Sequence, residues 1–235
     1  MMKQQIVALG GGGFSIDPSN IALDRYILSL TGKDHPKVLF LPQASSENEK
    51  YILYFYKALT SLGAIPSWLS LFGSLQQSDF DQILEQDVIY VGGGNTRSML
   101  ALWREWGVDK LLKQALENGT ILAGVSAGAI CWFEECVTDS VHPLGIMNGL
   151  GFLQGSACPH YDGEADRRPA LHSFIAQDAL LPCIALCDHA AAHYVDGSLH
   201  QVVTNHPTAK AFHVSKQAGV VIEDELSAMY LGTEE

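Results

Sequence analysis

A reactive serine hydroxyl could lie at the tip of a sharp turn in segment 124–128, which has the sequence Gly-Val-Ser-Ala-Gly. A strand-like apolar run at 120–123 precedes this segment, and a helix-like run at 129–133 follows it. A strand, a tight turn and a helix form a nucleophile elbow, in which small flanking residues let neighbouring backbone pass closely. The free N–H groups that begin such a helix could stabilise an oxyanion beside Ser126. The alternative is a serine that only caps the helix.

A serine nucleophile needs a general base, which a third group must orient. The sequence contains nine histidines. His160 is the best candidate, because it lies on a Pro-marked turn directly after a strand-like run. Asp188 follows another apolar run, at 183–187, which has the pattern of a strand. Its carboxylate would therefore lie at the carboxyl edge of the sheet. We therefore expect Ser126, His160 and Asp188 to form the catalytic set.

Two alternatives to this set remain open. In α/β-hydrolases the catalytic acid precedes the histidine in the chain. Three late histidines fit that order by position: His200, His206 and His213. The hairpin-like pattern of the C-terminal part argues against it, because no helix follows a catalytic-histidine loop there. Other acids could also orient His160 in place of Asp188: Asp139, Asp162 and Glu164.

His189 and His193 have the i, i+4 spacing of helical zinc ligands. Their segment has the pattern of a strand, in which residues four apart are about 13 Å from each other. No acidic residue lies between them, so the pattern does not predict a metal site. We expect neither a metal nor a cofactor.

Composition limits the classes of function. The chain has 235 residues, of which 47% are hydrophobic, and a formal net charge of −12. This charge argues against nucleic acid as a partner, because phosphate binding needs a basic surface. No apolar stretch is long enough for a signal-peptide core or a membrane span, so neither is expected. The five cysteines lack C-x-x-C spacing and are expected to be buried thiols in a cytoplasmic protein.

Strand-like and helix-like segments alternate through the first half of the chain. Strands are predicted at 5–9, 37–41, 65–69, 87–91 and 120–123, and helices at 17–30, 46–62, 78–85, 96–103 and 109–118. A capping box from Ser46 to Glu49 is expected to begin the second helix. This alternation predicts one α/β domain over residues 1–235 with a mostly parallel sheet.

The last third has a different pattern. Residues 139–165 are expected to be irregular, and 164–177 to be helical. Short alternating runs follow at 191–195, 199–203, 209–214 and 218–222, with a hairpin turn at Asp196-Gly197. They predict a C-terminal antiparallel extension.

Two glycine-rich turns also lie at carboxyl ends of predicted strands, where parallel sheets bind ligands. The first, Gly10 to Gly13, fails the dinucleotide fingerprint because position 15 is serine. The second is Gly-Gly-Gly-Asn-Thr at 92–96. Together with Ser126, they predict an active site at this edge of the sheet.

The motifs Gly-Gly-Gly-Asn-Thr at 92–96, Ser-Ala-Gly-Ala at 126–129, Pro-His-Tyr at 159–161 and Leu-Cys-Asp at 186–188 resemble those of peptidase family S51. This family includes dipeptidase E and cyanophycinase. The resemblance extends from Ile6 to the Asp196-Gly197 turn. It implies a three-layer, flavodoxin-like fold similar to that of class I glutamine amidotransferases, with serine in place of their cysteine.

By position, the resemblance implies Ser126 as the nucleophile and His160 as the general base. It also implies an oxyanion hole made by the N–H groups of Gly94 and Ala127. Asp188 lies where dipeptidase E has a glutamate, and is one methylene shorter. Either its strand end lies closer to His160, or another acid completes the site.

Four residues are predicted to contact substrate. Asn95 belongs to the second glycine-rich motif. Arg167 and Arg168 could each bind a substrate carboxylate through two parallel hydrogen bonds. His189 occupies a position at which the family usually has glycine, and could contact substrate or crowd the site.

The predicted function is a serine-type peptidase that hydrolyses short peptides, with Asp-X dipeptides among the candidate substrates. An esterase or amidase of the same chemistry and a catalytically inactive, ligand-binding member of the fold are the alternatives. A small peptide is the expected partner. The sequence leaves the oligomeric state open.

Overall fold

The computed structural model describes residues 3–232, so the expected domain of residues 1–235 extends beyond the description at 1–2 and 233–235. The strands in chain order are β1 (Gln5–Leu9), β2 (Lys37–Leu41), β3 (Ile65–Trp68), β4 (Val88–Val91), β5 (Ile121–Val125), β6 (Phe133–Thr138), β7 (Gly145–Asn148), β8 (Leu153–Cys158), β9 (Cys183–Leu186), β10 (Ala190–Val195), β11 (Ser198–Thr204), β12 (Ala211–Gln217), β13 (Val220–Glu225) and β14 (Ala228–Tyr230).

The α-helices are α1 (Ala22–Ser29), α2 (Glu49–Ser61), α3 (Gln77–Asp81), α4 (Thr96–Trp106), α5 (Val108–Glu117), α6 (Ala127–Ile130) and α7 (Arg167–Ala176). Short 3-10 helices lie at Gly13–Ser15, Gln43–Ser45 and Gln82–Glu85. In the described part of the chain, no helix is both long enough and apolar enough to cross a membrane.

The first sheet has eight strands within residues 3–232, in the spatial order β14-β11-β10-β1-β5-β4-β2-β3. Strands β1 to β5 pair in parallel with one another, which confirms the parallel sheet predicted from the alternating pattern. β3 forms one edge, where Pro66 is tolerated because an edge strand can lack a backbone donor. β10 pairs antiparallel with β1, and β11 antiparallel with β10.

The two faces of this sheet are covered by different elements, and β1 shows the alternation. Ile6 and Ala8 join a core that includes side chains of α4, α5 and the second sheet. Val7 and Leu9 join a core formed with α1 and α2 on the opposite face. Successive side chains of a strand point to opposite faces, and both faces of this sheet are covered. Every position of such a buried parallel strand must therefore be apolar.

The second sheet has six strands in the described chain, in the order β13-β12-β9-β8-β6-β7. β6, β8 and β9 are parallel, whereas β7, β12 and β13 pair antiparallel with their neighbours. α7 packs on the outer face of this sheet through residues such as Leu171 and Ile175. The antiparallel pairs of the C-terminal part are therefore divided between two sheets.

Several local predictions were wrong. Residues 139–165 contain β7 and β8 and are not irregular throughout. The helix after Ser126 ends at Ile130, and the chain enters β6 at Phe133. α1 begins at Ala22, because 17–21 forms a turn.

The cap of the second helix also differs from the expected one. The N-cap of α2 is Asn48, whose side chain accepts the N–H of Tyr51. Ser46 instead has φ of 56°, a left-handed conformation, and lies outside the helix.

Candidate active site

Ser126, His160 and Asp188 meet at the carboxyl ends of three strands. The Oγ atom of Ser126 lies 2.9 Å from Nε2 of His160. Nδ1 of the same imidazole lies 2.6 Å from Oδ1 of Asp188. Ser126 follows β5 of the first sheet, whereas His160 and Asp188 follow β8 and β9 of the second. The site is therefore built across the junction of the two sheets.

The turn at Ser126 has the backbone of a nucleophile elbow. Ser126 has φ of 56° and ψ of −114°, a conformation that costs free energy for a residue with a Cβ atom. A Cβ added at Gly124 would lie 2.2 Å from the carbonyl oxygen of Gly128, and one at Gly128 would lie 2.3 Å from that of Val91. Glycine at both positions lets α6 pack directly on the strands.

The alternative role of Ser126 as a helix cap does not match the structure. Its side chain makes no capping hydrogen bond to the start of α6. The Ser126 N–H donates to the carbonyl of Leu9, which fixes the turn against β1. The hydroxyl is thus left to interact with His160.

His160 is held by backbone contacts on both sides. Its N–H donates to the carbonyl of Gly10, and the N–H of Tyr161 donates to that of Leu186. If Nδ1–H donates to Asp188, Nε2 is left as an acceptor for the serine proton. This tautomer is the one that a general base requires.

The Asp188 carboxylate reaches His160 because two glycines leave space for it. A Cβ atom at Gly11 would lie 1.9 Å from Asp188 Oδ1, and one at Gly163 would lie 2.3 Å from Oδ2. The Asp188 N–H donates to Asp162 Oδ1 at 3.0 Å, which fixes the strand end. A side chain one methylene shorter than glutamate can therefore touch the imidazole.

The other candidate acids have different partners. Glu164 accepts a hydrogen bond from Arg167 at 2.7 Å, and Asp139 lies 3.6 Å from the same guanidinium. Asp162 accepts the backbone N–H of Asp188. Of the four candidate acids, Asp188 is the one whose carboxylate contacts His160.

The two predicted oxyanion-hole residues lie on segments next to Ser126. Ala127 is the first residue of α6, so its N–H has no acceptor within the helix. The loop that contains Gly94 passes the serine closely, since a Cβ at Gly93 would lie 3.2 Å from Ser126 Cβ. Gly94 itself has φ of 134°, and a Cβ there would lie 2.2 Å from the carbonyl oxygen of Ala44. This position therefore favours glycine.

A cleft of about 280 Å³ opens beside the serine and the histidine. Its lining consists of Ser15, Ile16, Tyr51, Gly93, Val125, Ser126 and His160. Apart from His160, these side chains are neutral at pH 7. Tyr51 and Ile16 could not be predicted from the sequence, because nothing there distinguishes them from other residues of a helix and a loop.

Asn95 lies at the start of α4 and caps it. Its side-chain oxygen accepts the N–H of Ser98 at 2.9 Å, and its side-chain nitrogen donates to the carbonyl of Ser140 at 3.2 Å. Both polar ends of this side chain already have partners within the protein. Asn95 therefore fixes the loop that contains Gly94 to the start of α4 and to Ser140.

Neither of the two arginines predicted to bind substrate is free. Arg167 is 2% exposed and donates to Glu164 and to the carbonyl of Val137. Arg168 forms two hydrogen bonds to Glu223, and its guanidinium lies 5.1 Å from the ring centre of Tyr161. Both guanidinium groups already pair with carboxylates of the chain, and their contact with substrate stays a prediction.

His189 follows Asp188 in the chain and contacts the loop after β1. Its N–H donates to the carbonyl of Gly11, and Nδ1 lies 3.2 Å from Oδ1 of Asn205. It lines a separate cavity of about 330 Å³ together with His206 and Asp162. His189 therefore supports the Gly11 backbone and is absent from the lining of the serine cleft.

The spacing of His189 and His193 does not create a metal site. His193 lies in β10, is 3% exposed and is hydrogen-bonded to Tyr26 and Gln5. Burial lowers the pKa of His193 to about 4, so it is neutral at pH 7. Within residues 3–232, no three His, Cys, Asp or Glu side chains are grouped so that they could hold a metal ion.

Comparison with known proteins gives a consistent result. The model of peptidase family S51 matches residues 6–202. The uncharacterized peptidase YgaJ of Bacillus subtilis (strain 168) is 50% identical over 229 residues, covering 97% of this chain and 100% of its own. A peptidase E of Shewanella denitrificans is 29% identical over 180 residues, covering 71% of this chain and 74% of its own. The crystal structure of a peptidase from an acI-B1 Actinobacterium has a TM-score of 0.66 at 17% identity, covering 97% and 95% of the two chains.

The family match and these relatives define a peptidase, a hydrolase that acts on peptide bonds, and the fold is of the mixed α/β class. The chain belongs to peptidase family S51.

Proposed function

We propose that this protein is a serine-type peptidase that hydrolyses short peptides through an acyl-enzyme on Ser126. The observation that carries the proposal is the continuous contact from Ser126 Oγ through His160 to Asp188, at 2.9 and 2.6 Å. This is the arrangement in which a base activates the hydroxyl and an acid orients the base.

In the first step, His160 Nε2 takes the hydroxyl proton while Ser126 Oγ bonds to the scissile carbonyl carbon. The carboxylate of Asp188 accepts Nδ1–H and stabilises the imidazolium that forms. The carbonyl oxygen becomes an oxyanion. The N–H groups of Gly94 and Ala127 are proposed to bind it, and one such donor contributes about 10²- to 10³-fold to kcat.

In the second step, the tetrahedral intermediate collapses. The C–N bond breaks, and His160 gives its proton to the leaving amine. A water molecule then attacks the acyl-enzyme and loses its proton to His160. The acid product leaves with one oxygen from that water, and Ser126 regains its proton.

The size of the cleft favours short substrates. Its volume of about 280 Å³ is at the low end of ligand pockets and is suited to a few residues. Ser140 accepts the N–H of Arg97 and holds segment 139–140 beside the start of α4, next to the loop that contains Gly93. We expect purified enzyme not to digest casein.

The charge of the cleft bears on the side chain that is accepted. No Lys or Arg is among the residues that line the cleft beside Ser126 in the described chain, and Arg167 and Arg168 are paired elsewhere. An aspartyl side chain would gain no cation there. We therefore propose that neutral dipeptides are hydrolysed at least as fast as Asp-X dipeptides.

A fluorophosphonate probe tests the proposal, because it reacts with an activated serine. We expect the wild type to label at Ser126, and Ser126→Ala to lose both labelling and peptide hydrolysis, by on the order of 10⁶ in kcat. Ser29→Ala is the matched control, since its hydroxyl bonds only the local carbonyl of Tyr26. A Ser126→Ala protein with more than about a hundredth of the activity would refute nucleophilic catalysis by this residue.

Two further results would redirect the proposal. A wild type that is neither labelled nor active would indicate an inactive, ligand-binding member of the fold. A kcat/KM for p-nitrophenyl esters far above that for every dipeptide would indicate an esterase.

All five cysteines are unpaired and buried, which supports the proposed cytoplasmic location.

A further inference from the structure

A buried polar cluster lies beneath the serine cleft and takes no part in the proposed chemistry. We call it the Asp24 cluster, and it consists of Asp24 of α1, Tyr51 of α2, Tyr90 of β4 and Phe14 of the loop after β1. Asp24 and Tyr90 are each 1% exposed. The cluster lies in the core on the face of the first sheet that α1 and α2 cover.

The loop Gly10–Phe14 is in contact with the catalytic groups. The carbonyl of Gly10 accepts the N–H of His160, and the carbonyl of Gly11 accepts that of His189. A Cβ at Gly11 would lie 1.9 Å from Asp188 Oδ1 and 3.0 Å from His160 Cε1. The backbone of this loop thus sets the space in which the imidazole and the carboxylate meet.

Asp24 holds the far end of the same loop. Its Oδ2 atom accepts the N–H of Phe14 at 2.8 Å. A Cβ at Gly13 would lie 2.9 Å from that oxygen, and Gly13 has φ of 58°. The loop is therefore fixed at one end by β1 and at the other by a buried carboxyl group.

Tyr51 makes the corresponding contact to the loop on the other side of the serine. Its hydroxyl accepts the N–H of Gly93 at 3.2 Å, and Gly93 packs on Ser126. The ring of Phe14 packs against both tyrosines, with its centre 5.5 Å from that of Tyr51 and 5.4 Å from that of Tyr90. One cluster thus joins both loops that flank the nucleophile.

The Asp24 carboxyl group has an unusual environment. Its Oδ1 atom and the Tyr90 hydroxyl have no partner within hydrogen-bond distance in the described chain. The two groups are nevertheless coupled, because the charge of Asp24 adds to burial in raising the pKa of Tyr90. Burial raises the pKa of Asp24 itself to about 7. A buried carboxyl group with a free oxygen is costly, and packing alone does not require it.

We propose that Asp24 is a positioning residue for the hydrolysis, which ties the loop Gly10–Phe14 to Tyr51 and Tyr90 and so holds His160 and Asp188 in register with Ser126. This inference rests on the proposed function. Oδ2 accepts the Phe14 N–H in either protonation state, and the neutral carboxyl group is the form that the buried cluster holds without an unpaired charge on Oδ1. When it ionises, the charge faces these groups of the described chain: Tyr90 of β4, Tyr51 of α2 and the backbone of Gly13 and Phe14.

The sign of the pH dependence follows from this environment. Below about pH 7 the folded protein keeps Asp24 neutral, and the cluster is as described. Above it, a negative charge forms among uncharged groups, since no basic side chain in residues 3–232 contributes to its pKa. The charged Oδ1 then lies buried without a partner, the loops loosen, and kcat falls more than substrate affinity, because catalysis needs closer alignment than binding.

The test compares Asp24→Asn, Asp24→Ala and the wild type between pH 5 and pH 9 on one neutral dipeptide. Active sites are titrated with the fluorophosphonate probe, so that kcat refers to folded enzyme. Asp24→Asn keeps an oxygen for the Phe14 N–H but cannot ionise. Asp87→Asn is the matched control, because Asp87 accepts the N–H of Lys37 at the opposite end of the parallel strands.

We expect Asp24→Ala to lower kcat by about 10- to 100-fold with KM within about threefold, as for a small displacement of catalytic groups. The wild-type kcat/KM should fall by roughly 3- to 10-fold from pH 7 to pH 9, whereas Asp24→Asn stays level over this range and equals the wild type at pH 6.

An Asp24→Asn profile that superposes on the wild type, or one that is lowered equally at every pH, would overturn the inference. An Asp24→Ala kcat within twofold of the wild type would do the same. If Asp24→Ala does not fold, the asparagine profile decides. A wild type without labelling or hydrolysis would refute the proposed function, and this inference with it.

Discussion

The Asp188 carboxylate shows how a single side chain depends on its neighbours for reach. It contacts His160 because position 11 and position 163 are glycines, and each leaves room for one carboxylate oxygen. The space is filled closely, so one more methylene would have to displace backbone. The contact with His160 therefore depends both on the short aspartate side chain and on the absence of Cβ atoms at Gly11 and Gly163.

We expect Asp188→Asn to lower kcat by roughly 10³- to 10⁴-fold, because an amide favours the wrong imidazole tautomer. Asp188→Glu should also be impaired, since its added methylene would press on Gly11 and Gly163. The measurement is kcat/KM on one ester substrate.

Alanine variants at the other three acids are the controls: Asp139, Asp162 and Glu164. Their carboxylates contact groups other than His160, so their kcat/KM should exceed that of the Asp188 variants. A collapse at one of these positions with Asp188→Ala within threefold of wild type would assign the acid elsewhere.

Gly11 offers a purely steric test of the same contact. Its φ lies outside the left-handed region, so alanine is acceptable to the backbone, but the new methyl group would lie 1.9 Å from Asp188 Oδ1. We expect Gly11→Ala to lower kcat/KM by about 10²-fold or more. Gly73→Ala is the control, because Gly73 has the same freedom and nothing within 4 Å. Activity within threefold of wild type would show that the carboxylate can move without loss.

The sequence was informative where a residue type and its neighbours define a local conformation. Ser126 between glycines after an apolar run, and Asp188 at the end of another, could be found in this way, and their contact with His160 matches the expectation. The partners of Arg167 and Arg168 could not, because pairing depends on which carboxylates the fold brings near. Glu223 is 55 residues away from Arg168.

At the scale of elements, the second sheet was the main feature that sequence patterns did not reveal. β7 and β8 lie in the stretch predicted to be irregular, and have the sequences Gly-Ile-Met-Asn and Leu-Gln-Gly-Ser-Ala-Cys. Both are short and poor in β-branched residues, so their local preference for strand is weak. They are strands because β6 and β9 offer pairing partners on either side of β8, which only the tertiary fold determines.

Glu223 on β13 fixes the edge of the second sheet to α7. It accepts hydrogen bonds from Arg168 and from the hydroxyl of Tyr161, the residue after His160. Burial favours its neutral form, but the hydrogen bonds from Arg168 and Tyr161 outweigh it and lower the pKa of Glu223 to about 2. His172 adds a third contact at 2.8 Å.

Because this pKa is lowered, the stabilisation is complete above the unfolded-state value, about 4.5, and is lost as the pH falls towards about 2. We expect Glu223→Gln to reduce the free energy of unfolding by about 2 kcal/mol at pH 7 and by about half as much at pH 3. Chemical denaturation at the two pH values measures this. Glu225→Gln, whose partner Lys210 is about half exposed, should change stability by less than about 1 kcal/mol. Equal losses at both pH values would contradict the assignment.

At the scale of the whole molecule, the two sheets are joined by the path of the chain. It leaves the first sheet after β5, builds β6 to β9, returns for β10 and β11, enters the second sheet again at β12 and β13, and ends in the first at β14. Each sheet thus contains segments from distant parts of the sequence. We therefore propose that the described chain unfolds as one cooperative unit.

Thiol labelling can test this cooperativity. The five cysteines lie in or beside the second sheet and are buried: Cys131, Cys136, Cys158, Cys183 and Cys187. Burial raises the pKa of each thiol, which slows its reaction further. Three of the four tryptophans lie on β3 and α4, beside the first sheet, and a Trp132→Phe background removes the fourth, which precedes β6.

We expect thiol reactivity and fluorescence to change at the same guanidinium concentration, as in a two-state transition. Fully denatured protein provides the end point of five equivalents. Thiols that become reactive at a clearly lower concentration would show that the second sheet opens by itself.

The position of β1 also has a consequence for synthesis on the ribosome. β1 is translated well before its antiparallel neighbour β10, which lies at Ala190–Val195. At about 5–20 residues per second, one edge of this central strand waits roughly 10–40 s for its partner. During that time it offers unpaired backbone groups to other nascent chains, as an exposed edge does. Ser126 is translated before His160 and Asp188. A growing chain therefore has no assembled site until Asp188 has been synthesised.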